Sequence, residues 1–164
     1  MNYRTAHEAP TAPHTPGGPG LPRLSAAPPR FAADTAAPPE AVHAALAKDT
    51  EGWTAWFDAV TTAVPTATGR TVGLRGGIRF EETVLADEPP RRFAYRADAT
   101  NAPGLRALLE EWALSPAAAG GTRVRWTFAA DGPPALRTFL LMSRPGLGLS
   151  FRSAVRSLDR RLAP

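Results

Sequence analysis

Apolar and polar residues alternate with a period of two through most of the second half of the chain. A helical period takes over on either side. From Thr71 onward, β-type runs cover 71–75, 78–86, 91–99, 105–115 and 122–130, separated by turn residues. Ahead of them, RFAADTAA (30–37) alternates weakly and predicts a first strand. Pro39 then stands where a first helical residue is tolerated, and EAVHAALA places Val42 and Leu46 four apart. Asp49 is suited to cap a second short helix, TEGWTAWF, with Trp53, Trp56 and Phe57 on one side. After Asp131-Gly132-Pro133-Pro134 the final segment reads as helix, interrupted at Pro145-Gly146. Beyond that point Leu147, Phe151, Val155, Leu158 and Leu162 form one apolar stripe, and Arg152, Arg156 and Arg160 line another face. The sum is an α+β domain: a strand, two short helices, antiparallel strands and a terminal helix.

Strand parity gives the sheet two faces. In FEETVLADEPPRRFAYRA (80–97), Asp87-Glu88-Pro89-Pro90 is predicted as a four-residue loop. That register sets Val84 opposite Phe93 and Glu82 opposite Tyr95 on one face. On the other it sets Glu81 opposite Arg96, Arg79 opposite Asp98 and Leu85 opposite Arg92. Glu81 is then a solvent-face ion pair, while Glu82 points inward. In LRALLEEWALS, Glu110, Trp112 and Leu114 share a face; in TRVRWTFAA, Val124, Trp126 and Phe128 do. Packing these faces together brings Glu110 beside Tyr95. The concave surface should carry Phe80, Glu82, Val84, Phe93, Tyr95, Glu110, Trp112, Trp126 and Phe128: an apolar wall with two carboxylates and a phenol set in it.

Composition narrows the chemistry. The 164 residues suit one domain with a single core. Residues 1–29, with seven prolines and three glycines, are expected to form a disordered leader, in which PTAP and PHTP fit a PxxP pattern by chance; residues 30–164 are the expected domain. The absence of cysteine excludes disulfides and thiolate metal sites, and three histidines at 7, 14 and 43 make a histidine-based metal or triad site improbable. His43 is expected to be a packed or surface residue. Of 19 basic residues only Lys48 is a lysine, and the net charge of +4 does not by itself imply a polyanionic partner. No run is apolar enough to span a membrane and no apolar signal segment opens the chain, so a cytoplasmic location is expected. Gly76-Gly77 and Gly120-Gly121 lie between strands and read as turns, not phosphate loops. No cofactor and no metal is therefore expected.

The order of AAPPEAVHAALAKDTEGWTAWFDAV, EETVLADEPPRRFAYRA, GGTRVRWTF and a long terminal helix resembles the START-type superfamily that includes the birch-pollen allergens. It is most similar to that superfamily's bacterial polyketide cyclase/dehydrase and lipid-transport group, over about residues 30–163. The chain departs from the group at His43, where tryptophan or phenylalanine is frequent. The resemblance implies a helix-grip fold: a curved antiparallel sheet wrapped around a long C-terminal helix, with an apolar cavity between them. Trp56 and Phe151 join the concave-face residues as expected ligand contacts, and about half of the four tryptophans should touch the cavity. Members of the group bind lipids, sterols, polyketides or hormones, and some catalyse cyclisation or dehydration; the group has no universal catalytic motif.

Three functions stay open on the residues. The first is binding or carriage of a hydrophobic small molecule, with Glu82, Tyr95 and Glu110 orienting it. The second is a cyclase/dehydrase-type enzyme with those same three residues as acid–base candidates. The third is an RNA- or protein-interaction module using the arginine-bearing helix. DNA is not an expected partner. Arg75 is a candidate for the cavity mouth.

Overall fold

A computed structural model describes residues 28–163. The leader expected over residues 1–29, with its PxxP matches, lies outside these residues as far as residue 27. Seven strands form one antiparallel sheet: β1 (Arg30–Thr35), β2 (Val60–Pro65), β3 (Gly69–Leu74), β4 (Arg79–Glu88), β5 (Arg92–Thr100), β6 (Ala107–Pro116) and β7 (Thr122–Asp131). Their order across the sheet is β1-β7-β6-β5-β4-β3-β2. Two short helices, α1 (Pro39–Ala47) and α2 (Trp53–Trp56), connect β1 to β2, and the long helix α3 (Pro134–Leu162) closes the chain. This is the helix-grip arrangement, a curved sheet around its terminal helix.

Periodicity explains most elements. Val42 and Leu46 of α1 are both essentially inaccessible, and Pro39 occupies its first turn, where a missing N–H costs nothing. Asp49 accepts from the Gly52 amide at 3.1 Å and sets up α2, whose Trp53 and Trp56 rings lie 4.7 Å apart. His43 is buried, with Nε2 3.2 Å from Asp87 but out of hydrogen-bond alignment, in a corner that Lys48 shares. On α3, Phe151, Val155 and Leu158 are buried while Arg152, Arg156 and Arg160 are exposed, as the stripe predicted. The four paired glycines turn between strands with φ from +75 to +89°.

Three local expectations need correction. The stretch VTTAVP (60–65) is a strand the alternation missed: its buried members, Val60 and Ala63, are three apart, and β2 pairs on one side only, with β3. The helix α3 runs through Pro145-Gly146 without a break. Proline removes one amide donor, and the buried stripe beyond it supplies the packing that keeps the axis going.

The third correction is the β4–β5 register. The ladder reaches Glu88↔Arg92, leaving Pro89, Pro90 and Arg91 as the loop, and irregularities at Leu85 and Asp98 set Val84 opposite Tyr95 and Glu82 opposite Ala97. The ion pairs expected for Glu81 with Arg96 and Arg79 with Asp98 do not form; Glu81 faces Ala99, and Arg96 holds Asp98 on its own strand. Arg92 decides the register. It holds Glu88 at 2.9 Å and Glu111 at 2.7 Å, a bridge available only when Glu88 stays in the ladder. The inward parity of β4 survives, with Phe80 and Glu82 buried and Glu81 exposed.

Candidate functional site

The second half of α3 lies on the sheet, and its first half stands away from it. Between the two lies a pocket of about 720 Å³. Its walls come from β2–β7, from α2, from the loop at 101–106 and from α3, and they are almost wholly apolar: Val72, Leu74, Phe80, Leu108, Trp126 and Phe128 from the sheet, Leu136, Phe139, Leu140 and Leu147 from the helix. Besides Ser150 of α3, four side chains interrupt this lining: Arg70, Glu82, Tyr95 and Glu110.

Cross-strand register brings the four together. Arg70 on β3 is paired directly with Glu82 on β4, and its Nε donates to Glu82 Oε2 at 2.6 Å. Both side chains are about 95% buried. Tyr95 on β5 is paired directly with Glu110 on β6, and its hydroxyl donates to Glu110 Oε2 at 2.8 Å. That same oxygen accepts the Trp126 indole N–H at 2.8 Å, while the Trp112 indole donates to the Tyr95 oxygen at 3.2 Å. The Arg70 guanidinium lies 3.9 Å from the Trp53 ring centre and 4.4 Å from that of Tyr95, a cation between two π faces. Its Nη1 is buried without a hydrogen-bond partner among the described residues. Gly69 permits this arrangement: a Cβ there would come within 2.0 Å of the Glu82 carbonyl oxygen, so only glycine lets β3 approach β4 beside the ion pair.

Electrostatics follows from burial. Desolvation pushes the Glu82 carboxyl up to about 7, against the pull of Arg70 and with a further push from the Glu110 charge. Desolvation likewise raises Glu110, opposed by its bonds from Tyr95 and Trp126. Burial, with Glu110 beside it, holds the Tyr95 phenol well above its ordinary range, so Tyr95 stays neutral. Burial also works against the charge on Arg70, but Tyr95, Glu82 and Glu110 together outweigh it and raise its pKa; Arg70 is a permanent cation. One cation between two carboxylates in an apolar enclosure favours holding one proton on the pair.

Of the residues expected against a ligand, Phe80, Glu82, Tyr95, Glu110, Trp126 and Phe128 line the pocket. Trp56, Val84, Phe93, Trp112 and Phe151 do not: Trp56, Trp112 and Phe151 are fully buried in the solid core, and Phe93 and Val84 pack near it. Two of the four tryptophans, Trp53 and Trp126, reach the pocket. Glu82 and Tyr95 are not direct cross-strand partners, because each found a different one. Arg75 is exposed, donates to the Asp58 carbonyl and takes no part in the pocket wall. Arg70 is the residue that sequence reasoning missed. Its signal was present, since Arg70, Val72 and Leu74 share one parity, but starting the strand at Thr71 left it outside.

The comparisons agree with this architecture. A Mycobacterium tuberculosis protein described as uncharacterized is 32% identical over 138 residues, covering 80% of this chain and 81% of the relative. A solved structure of a START superfamily protein from Mycobacterium smegmatis superposes with a TM-score of 0.66 at 10% identity, over 84% of this chain and 97% of its own. A crystal structure of a Rhodobacter sphaeroides protein superposes with a TM-score of 0.65 at 26% identity, over 88% and 95%. The model of the family described as polyketide cyclase/dehydrase and lipid transport matches residues 31–163, nearly the whole described chain, and the protein belongs to that family.

Proposed function

We propose that the protein binds a hydrophobic small molecule, of lipid or polyketide type, in the pocket between sheet and helix. The observation that carries this reading is a hollow of about 720 Å³ whose walls are apolar apart from Ser150 and one compact polar cluster. Burial of apolar ligand surface, roughly 25 cal/mol per Å² before association costs, supplies affinity. The cluster supplies orientation. Tyr95 spends its proton on Glu110, so the groups free to meet a ligand oxygen are Arg70, through its unpartnered Nη1, and Glu82.

Anilinonaphthalene sulfonate, an aromatic anion, is a suitable probe. It should bind saturably and take energy from Trp53 and Trp126, which face the hollow. Filling the pocket with Ala130→Trp should weaken it by about tenfold or more, near 1.4 kcal/mol, with far-UV circular dichroism unchanged. Non-saturable binding, or binding indifferent to Ala130→Trp, would remove the reading.

Glu82 favours a second reading, in which the same cluster performs acid–base chemistry on a polyketide-like substrate. A carboxyl held near neutrality can both give and take a proton at physiological pH. In that case Glu82→Gln keeps ligand affinity and loses turnover.

A further inference from the structure

Six large apolar side chains are exposed among the described residues, and four of them, Phe139, Leu141, Met142 and Leu149, fall on α3. Met142 is 79% accessible and Leu149 62%, values ordinary for lysine and costly for a hydrophobe. Phe139, Met142, Gly146 and Leu149 follow one another at steps of three, four and three, which is a single stripe along the helix. No element of the described residues covers it.

The charge around this stripe has one sign. Between Asp131 and Asp159 the chain carries Arg137, Arg144, Arg152 and Arg156 and no carboxylate. All four are exposed, and none forms a salt bridge among the described residues. Elsewhere among the described residues Arg92, Arg96, Arg106, Arg123 and Arg161 pair with carboxylates while Arg30, Arg75, Arg79, Arg91, Arg125 and Arg160 do not, so what sets this stretch apart is its lack of any carboxylate. An apolar stripe flanked only by cations is the pattern of a helix that lies in the boundary of an anionic bilayer. A second copy of the chain fits poorly, since a two-fold contact through this helix would bring like charges together.

We propose that the exposed face of α3 from Phe139 to Arg156 docks on an anionic lipid bilayer, with Phe139, Met142 and Leu149 entering the acyl boundary and Arg152 and Arg156, three and seven residues beyond Leu149 on the same side of the helix, meeting the headgroups. Phe139 is both exposed and part of the pocket wall, so the docked stripe reaches the pocket mouth. A bilayer held there would stand directly at the entrance for apolar molecules. The docking stands on the exposed stripe and its charge, and it is separable from occupancy of the pocket.

The test is co-sedimentation of the full chain with vesicles of phosphatidylcholine alone and of phosphatidylcholine mixed with phosphatidylglycerol. The wild type should prefer the mixed vesicles, and salt should weaken that binding. Arg152→Gln and Arg156→Gln should each lower it by about fivefold on mixed vesicles only. Met142→Ser with Leu149→Ser, two exposed positions outside the pocket wall, should lower it by about tenfold or more while the fluorescent probe still binds. Equal partition onto both vesicles would overturn the proposal. So would unchanged binding by the double serine variant, a wild-type dimer that this variant dissolves, or retention on RNA in place of vesicles.

Discussion

The two halves of α3 belong to one helix and have opposite fates. From Gly148 to Leu162 the helix is clamped: Phe151, Ala154, Val155 and Leu158 are buried, and Phe151 lies 6.1, 5.9 and 6.0 Å from the rings of Phe31, Trp112 and Trp126. From Pro134 to Leu147 no helix residue is buried, and one side borders the pocket. Stability is concentrated at one end and the opening at the other. A chain that filled both ends equally would gain packing and lose the hollow.

The largest predicted contrast is between Trp112 and Phe139. Trp112 is fully buried at the solid end and holds Tyr95 through its indole, so Trp112→Ala should cost about 3–5 kcal/mol. Phe139→Ala at the open end should change stability by no more than about 0.5 kcal/mol. Urea unfolding of the two variants measures both; similar costs would erase the distinction between the halves.

Next in size is a pH effect of the polar cluster. The folded-state value of Glu82 is about 7 against an ordinary 4.5, so the folded protein holds this proton more tightly than the unfolded chain does. The favourable contribution is complete below pH 4.5 and is lost as pH rises through 7, a change of up to about 3 kcal/mol. Asp34, Asp98 and Asp159 are shifted the other way and act at lower pH. The stability difference between wild type and Glu82→Gln should therefore drift in favour of the variant between pH 4.5 and 7. A flat difference would mean that desolvation does not govern this carboxyl.

The smallest effect separates two glycines two residues apart. A methyl at Gly146 would meet nothing within 4 Å, so Gly146→Ala should stabilise by up to about 1 kcal/mol through helix propensity. A methyl at Gly148 would sit 3.2 Å from the Phe31 ring, on the clamped side of the boundary. Gly148→Ala should gain nothing or lose stability, as thermal unfolding will report.

How much of this was legible in the sequence depended on what fixed each feature. Side-chain parity is a local property, and it correctly turned Phe80, Glu82, Glu110, Trp126 and Phe128 inward. Register is not local: it rests on Arg92 bridging Glu88 on one strand and Glu111 on another, and no pattern within the hairpin announces that. The edge strand β2 went unseen because exposed Thr61 and Thr62 adjoin each other and break the alternation. Arg70 was lost at a strand boundary, the least determined part of any element read from sequence. With it went the partner that defines Glu82, so the carboxylates were found without the cation between them.

The strand order also governs when the molecule can be completed during its synthesis. The first strand, β1, has one neighbour, β7, which is made after the other five strands of the sheet. The Ala36 amide and Thr35 hydroxyl are satisfied by Asp159, 123 and 124 residues downstream. Until the ribosome has delivered β7, β1 has no ladder to join, and its backbone groups must wait in water or on a chaperone. Assembly of this sheet is thus closed from its beginning by its end, a step that an incomplete nascent chain cannot rehearse.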